Sequence, residues 1–430
     1  MAWHDTIFAP ITALGGAVAV VRVTGPEAGS LARKVCCGLA DLPAPRKSVH
    51  VKLVTRDDAL LTYFPGGESY TGDETVEIAG HGSRAAIQAL LDQLRAAGGR
   101  MARPGEFTER AFLNGRMDLT QAEGVRDLIA AETEAQLRQA ALHRDGVLRD
   151  QIAALRARLA RHLAAIEATI DFAEEIGDLD RDPMLDDLDQ VAGELGRLHR
   201  TVEPGRLLRE GVRIAILGEP NVGKSSLLNA LLRRDRALVT PIPGTTRDYL
   251  EESVELDGIK CVLIDTAGLR QTQDPVERLG MDRSRELAAS ADLLWLIIES
   301  GSQPPTDLPQ TRAKVRIVAN KCDLRPHPGP EIAVSAASGA GLDRLIASIS
   351  PDLGLEQATH TPLLNPRHGT CVSEALSLVE MAASALRADV PLDLTAVGLR
   401  GALTALAEVE GIDADGELLD HIFATFCIGK

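Results

Sequence analysis

The sequence predicts a multidomain chain: an N-terminal α+β domain, a helical domain built from two separated segments, and an α/β P-loop domain with a mostly parallel sheet inserted between them. Three observations carry this prediction. At 430 residues the chain exceeds what one hydrophobic core usually supports. Its apolar periodicity runs from short alternating stretches to helical steps, then to strand–loop–helix units, and back to helical steps. A glycine-rich phosphate loop opens the third of these stretches.

Residues 1–117 mix β-like runs, "GAVAVVRVTG" and "ETVEIAG", with one amphipathic helix, "SRAAIQALLDQLRAAG". Frequent glycines and prolines punctuate them, as in a compact α+β domain. Residues 118–210 change character. Leu148, Ile152, Leu155, Leu159, Ile166 and Ile170 recur at steps of three and four, one step doubled, which marks a long helix with a single packing stripe. The acidic stretch "DFAEEIGDLDRDPMLDDLD" lacks calcium-loop spacing and reads as a solvated face and loop. Helix resumes through "LDQVAGELGRLHRTV". Residues 211–352 form the P-loop unit. Residues 353–430 contain the link "THTPLLNPRHG", after which helical patterns return and run to the end. Insertion of one domain into another is tolerated where the ends of the insert lie together at a surface, so both helical segments are assigned to one domain.

The totals narrow the function. A formal charge of −16 argues against a protein that coats nucleic acid non-specifically, because phosphate binding draws on clustered Lys and Arg. The six cysteines, Cys36, Cys37, Cys261, Cys322, Cys371 and Cys427, have neither the density nor the spacing of a disulfide framework or zinc site. Neither a leader peptide nor an apolar run long enough to span a bilayer is evident. The expectation is a soluble cytoplasmic protein with no membrane association.

The stretch "VRIAILGEPNVGKSSLLNAL" places Gly218, Gly223, Lys224 and Ser225 in G-x-x-x-x-G-K-S spacing, after a strand-like run and before a helical one. Backbone N–H groups of such a loop turn toward phosphate, the lysine reaches the β and γ phosphates, and the serine ligates magnesium. Glu219, Asn221, Val222 and Ser226 complete the expected contacts. In "CVLIDTAG", Asp265 is expected to hold Mg2+ through water and Gly268 to sense the γ-phosphate, while Thr245 and Thr246 in "PGTTRD" lie on a loop suited to closing over both. In "VRIVANKCDL", Asp323 can accept two hydrogen bonds from guanine N1 and N2, where adenine offers no such pair. Asn320 can hold the ring edge, the Lys321 stem can cover the ring face, and Ser335 and Ala336 in "SAASGAG" offer a backbone contact to the guanine oxygen. The ligand expected from these four elements in order is GTP.

After "DTAG" comes Leu269, where regulatory GTPases place a glutamine that orients the attacking water. Another group must do this. Open candidates are Glu277 acting through a bridging water, Arg247 or Arg270, and a monovalent cation held by the Asn221 carbonyl and the loop around Thr245.

The stretches "DTIFAPIT", "PGEFTERAFLNGRMDLTQAE", "GEPNVGKSSLLNAL", "PIPGTTRDY", "IDTAGLR", "VERLGMDRS", "NKCD" and the terminal "CIGK" resemble the tRNA modification GTPase family MnmE, also called TrmE, in the same order over essentially the full length. The resemblance implies an N-terminal domain that dimerises and binds a tetrahydrofolate one-carbon donor, the 5,10-methylene or 5-formyl derivative. It implies a homodimer that works with a flavin-dependent MnmG-family partner, in a heterotetramer or larger complex, to add an aminomethyl or carboxymethylaminomethyl group at C5 of the tRNA wobble uridine. GTP hydrolysis would be activated by K+ when two G domains meet. Matched residue by residue, Asn221, Thr240, Ile242 and Thr245 would ligate potassium, Ser225, Thr246 and Asp265 magnesium, and Glu277 would orient water through a second water, with Lys224, Thr246 and Gly268 completing the catalytic set.

For the folate site the resemblance implies Arg22, Glu68, Arg116 and Lys430, with Cys427 in or beside the modification site. Whether Cys427 is nucleophile, acid or lining stays open, and its apolar neighbours Ile422, Phe423, Phe426 and Ile428 equally suit a packed cysteine. One departure is "GHGS", with Ser83 where the family pattern has a second glycine. The competing reading is a ribosome-assembly or RNA-chaperone GTPase. Such proteins usually carry a basic RNA-binding module, and none is obvious in this acidic sequence.

Overall fold

The computed structural model describes residues 4–172, 179–234, 251–265, 290–305, 311–356, 361–388, 390–412 and 414–429, with the side chains of Glu251 and Asp265 outside that description. The chain divides into two compact units. One comprises residues 1–126, 149–152 and 407–430; the other comprises 127–148 and 153–406.

In the first unit, the described strands are β1 (Ile7–Pro10), β2 (Val18–Thr24), β3 (Cys36–Cys37), β4 (Ser48–Leu53), β5 (Asp58–Phe64), β6 (Thr75–His81) and β7 (Arg100–Met101). They form one sheet in the order β3-β4-β5-β6-β2-β1-β7, antiparallel except for the β1–β7 pair. Strand alternation sets the two faces. Val21, Val23, Val76 and Ile78 are buried in one core with Leu31 and Val35 of α1 (Ala28–Val35) and Ile87, Leu90 and Leu94 of α2 (Arg84–Ala96). The intervening positions, Val18, Val20 and Arg22 on β2 opposite His81, Ala79 and Glu77 on β6, occupy the other face. Ser83 caps α2: its hydroxyl accepts from the Ala86 N–H at 3.2 Å, a bond glycine could not supply.

The C-terminal segment belongs to this unit. Ile422 and Phe423 of the helix Gly416–Ala424, together with Phe426, share a small core with Leu119 and Ala122, with Phe112 packed against it. Gly105, at φ 68°, precedes α3 (Glu106–Leu113), and a Cβ there would strike the Phe423 carbonyl.

In the second unit, the described strands form one sheet in the order β13-β12-β11-β8-β10-β9. Their ranges are β8 Val212–Gly218, β9 Glu251–Leu256, β10 Ile259–Asp265, β11 Leu293–Glu299, β12 Lys314–Asn320 and β13 Ile332–Ala333. All neighbours are parallel except β9 and β10, as expected for an inserted α/β domain with a mostly parallel sheet. Trp295, Ile216, Leu263 and Val318 are buried with Leu227 and Leu231 of the helix Lys224–Arg234.

The helix Val147–Asp171 matches the predicted stripe. Leu148, Ile152, Leu155, Leu159 and Ile166 are buried, whereas Ile170 is 39% exposed, one residue from the helix end, where the last turn leaves the core. The helix Arg181–His199 buries Met184, Leu188, Val191 and Leu195 and packs on Pro366–Arg387. Gly211, at φ 96°, ends the helix Val202–Glu210 and passes directly into β8. No helix among the described residues is long and apolar enough to cross a membrane.

Candidate functional site

The phosphate loop leaves the C-terminal end of β8 and enters the helix Lys224–Arg234, so backbone N–H groups and the positive end of the helix dipole gather at the loop. Two glycines are required by close packing. A Cβ at Gly218 (φ 148°) would strike the Ile297 carbonyl, and one at Gly223 (φ 95°) would strike the Asn320 amide. Asn221 takes φ 64°, a conformation asparagine tolerates better than most side chains. The Lys224 ammonium donates to the carbonyls of Gly218 at 3.0 Å and Glu219 at 2.7 Å. A positive charge is thereby held against the loop.

Asn320, at the end of β12, is buried, and both ends of its amide are used. Nδ2 donates to the Val222 carbonyl at 2.8 Å, and Oδ1 accepts from the Ala336 N–H at 3.1 Å. Nδ2 carries a second hydrogen, so one donor stays available to a base edge. The Ala336 N–H that the sequence suggested for the guanine oxygen is engaged by Asn320 here. Ser335 is fully buried and organises its own loop, its hydroxyl accepting from the Ser338 N–H at 3.1 Å. Lys321 stands at φ 66°, with Nζ 3.3 Å from a Glu299 carboxylate oxygen, and Asp323 is exposed.

The structure thus brings together the loop from Gly218 to Ser225, Asn320 and Ala336. Asp265 ends β10 with its backbone registered to Ile216 of β8. Thr240, Ile242, Thr245, Thr246, Arg247, Gly268, Leu269, Arg270, Glu277 and Lys430 lie outside the described residues.

A second polar constellation lies in the N-terminal unit. Arg22 sits directly across the sheet from Glu77, and its Nε and Nη2 donate to Oε1 of that carboxylate at 3.0 and 2.8 Å. The guanidinium carbon is 5.0 Å from the Tyr70 ring centroid and 5.5 Å from that of Phe107. The Tyr70 hydroxyl bonds Thr108 at 2.9 Å; burial raises its pKa, offset in part by the Thr108 bond and the Arg22 charge.

The sequence singled out Glu68 for this region, and Glu68 is exposed with its carboxylate 3.6 Å from Arg46. Arg116 lies over the same turn, donating to the Gly67 carbonyl at 2.9 Å. Glu77 was missed, although a lone acid in the apolar alternation "TVEIAG", opposite an arginine, was a usable signal.

Beside this constellation is a buried ionic network the sequence reading also missed. Glu106 and Arg110 are fully buried, and Glu106 pairs with both Arg100 and Arg110, which in turn pair with Asp5. Burial alone would raise the Glu106 carboxyl, but bonds from Arg100, the Arg103 N–H and Arg110 hold it below its usual value. Burial raises Asp73, more than its bond from Asn114 and the Arg110 charge lower it.

The C-terminal tail reaches the same neighbourhood. The Gly105 N–H faces the Cys427 carbonyl at 3.5 Å, two residues before Phe107. Gly429, at φ 97°, lies so close to Pro10 that a Cβ would strike its carbonyl, and Pro10 is paired with Val21, next to Arg22. Cys427 itself is exposed. The tail is therefore laid on the N-terminal sheet close to the Arg22 strand.

Comparison with known proteins covers the whole chain. Residues 6–116 match the family described as GTP-binding protein TrmE N-terminus, and residues 119–427 match the MnmE helical domain. The chain is 41% identical to the tRNA modification GTPase MnmE of Symbiobacterium thermophilum over 99% of this chain and 100% of that protein. It is equally 41% identical to the protein of that name from Chloroflexus aurantiacus, over 99% and 100% respectively. Among solved structures, Aquifex aeolicus Era is 25% identical over 39% of this chain and 67% of its own, with a TM-score of 0.26. On its end-to-end identity with these relatives and the match of both family descriptions, the chain belongs to the tRNA modification GTPase MnmE family.

Proposed function

We infer that the chain hydrolyses GTP to GDP and phosphate at the Gly218–Ser225 loop, and that this hydrolysis gates modification of tRNA at C5 of the wobble uridine. The observation that carries the nucleotide half is the Asn320 bridge between Val222 and Ala336, which ties the phosphate loop to the loops expected to read guanine. Family membership supports the tRNA half. Lys224 neutralises the β and γ phosphates, Asp323 selects guanine, and Ser225, Thr246 and Asp265 would hold Mg2+, whose role is to offset developing phosphate charge. The Asn221 backbone, with Thr240, Ile242 and Thr245, would hold K+ in place of an arginine, and Glu277 would orient the attacking water.

In the N-terminal unit, Arg22 with its partner Glu77, together with Glu68, Arg116 and Lys430, would line a pocket for a tetrahydrofolate derivative, a guanidinium suiting the carboxylates and polar ring of such a ligand. When bound, that group supplies one carbon. The placement of the tail on this unit supports a role for Cys427 beside the pocket. A homodimer, an MnmG-family flavoprotein partner that carries the redox chemistry, a cytoplasmic location and the boundaries 1–117, 118–210, 211–352 and 353–430 belong to the same proposal.

The test is nucleoside mass analysis of tRNA incubated with the full chain, its flavoprotein partner, methylenetetrahydrofolate, an amine donor and GTP. A new aminomethyl-type uridine, lost when Lys224→Ala replaces the wild type, supports the reading. Unmodified uridine in the complete mixture contradicts it.

A further inference from the structure

Both hydrogen bonds from Arg22 converge on one oxygen of Glu77, Oε1. A two-oxygen fork between guanidinium and carboxylate fixes the plane of both groups, whereas convergence on one oxygen leaves the guanidinium free to swing about it. Something else must set its plane. The Arg22 side chain is only 13% exposed, and the Tyr70 and Phe107 rings stand 5.0 and 5.5 Å from its guanidinium carbon. Ring faces attract a guanidinium electrostatically, and more strongly where water is excluded. The Tyr70 ring is itself held by the bond from its hydroxyl to Thr108, a fully buried residue of α3 adjacent to Phe107. Among the described residues, Nη1 of Arg22 and Oε2 of Glu77 make no further hydrogen bond and remain for a ligand.

We propose that Tyr70, through the face of its ring, is a positioning residue that fixes the Arg22 guanidinium plane beside Glu77, so that the pair meets its ligand in one orientation. The consequence for ligand binding rests on the reading of the Arg22–Glu77 face as part of the one-carbon pocket. The positioning of Arg22 does not, because it is a property of the protein without ligand.

The test uses the full chain with 15N-labelled arginine, the variants Tyr70→Leu and Tyr70→Phe, and Arg22→Lys to assign the Arg22 Nε–H resonance. Titration with 5-formyltetrahydrofolate is run on each, and GTP affinity serves as the folding control. Tyr70→Leu is expected to shift and broaden the Arg22 Nε–H signal and to weaken folate binding about tenfold. Tyr70→Phe keeps the ring, so it is expected to retain the signal and stay within about threefold of wild-type affinity. An unchanged Nε–H signal in Tyr70→Leu overturns the proposal, as does equal loss in the leucine and phenylalanine variants, since that would assign the effect to the hydroxyl and its structural bond. If the wild type binds no folate while Tyr70→Leu still releases the Arg22 signal, the pocket reading falls and the positioning role stands.

Discussion

The Asn320 side chain reaches across 98 positions of sequence to donate to the Val222 carbonyl at 2.8 Å, while the same amide receives the Ala336 N–H at 3.1 Å. One buried side chain therefore sets the spacing between the phosphate loop and the two loops after β12 and β13. Asn320→Ala leaves the Ala336 N–H and the Val222 carbonyl without this partner, a penalty of about 1–3 kcal/mol for each group that stays buried. Titration with a fluorescent guanine nucleotide should show at least about tenfold weaker binding. Unchanged affinity would mean that the bridge does not organise the site.

Lys224 and Glu277 should separate binding from turnover. Lys224→Ala removes the charge now held at the Gly218 and Glu219 carbonyls and should abolish productive GTP binding or hydrolysis. Glu277→Ala should leave GTP affinity nearly intact and lower kcat, as expected for a group that acts only on the attacking water. A loss of affinity with normal turnover would contradict that role.

Asp187 provides a pH-dependent contribution to the helical region. The bond from Arg158 holds its carboxyl below the usual aspartate value, against an opposing effect of burial, with His162 also bonded to it. A depressed folded pKa gives stability that is present above the unfolded value, about 3.9, and is lost as pH falls through the folded value. Asp187→Asn should therefore be less stable than wild type at neutral pH, by no more than about 1 kcal/mol after solvent screening. Urea melts should show that gap closing below about pH 4, and a gap that widens with acid would contradict the assignment.

Burial divides the cysteines by reactivity. Cys36 and Cys261 are buried, and desolvation pushes both thiols up to about 12. Cys37 and Cys427 are exposed. Because the thiolate is the reactive form, alkylation mapped by mass spectrometry at neutral pH should label Cys37 and Cys427 in the native protein. Cys36 and Cys261 should be labelled only after unfolding; native labelling of Cys261 would contradict its burial within β10.

Much of this architecture was legible because local pattern and tertiary role agree. The G-x-x-x-x-G-K-S spacing lies between β8 and its following helix, and the apolar stripe beginning at Leu148 runs along one helix. The N-terminal polar site was less legible. Glu77 and Arg22 are distant in sequence and meet through antiparallel register, which composition does not reveal. Glu68, in a glycine-rich turn, carried a stronger local cue and stands at the surface 3.6 Å from Arg46. The buried Glu106–Arg110 pair was hidden for a related reason: charged residues four apart on a helix ordinarily mark a solvated face.

We propose that the chain hydrolyses GTP without a catalytic glutamine, with a monovalent cation held at the Asn221 loop. The most direct measurement is steady-state GTP hydrolysis by the full chain in potassium and in sodium at equal ionic strength, with G-domain association followed in parallel using a transition-state mimic. Strong potassium dependence that rises with association is expected. Equal rates in the two salts, with no association, would contradict it and return the catalytic role to an arginine or to a group supplied by a partner.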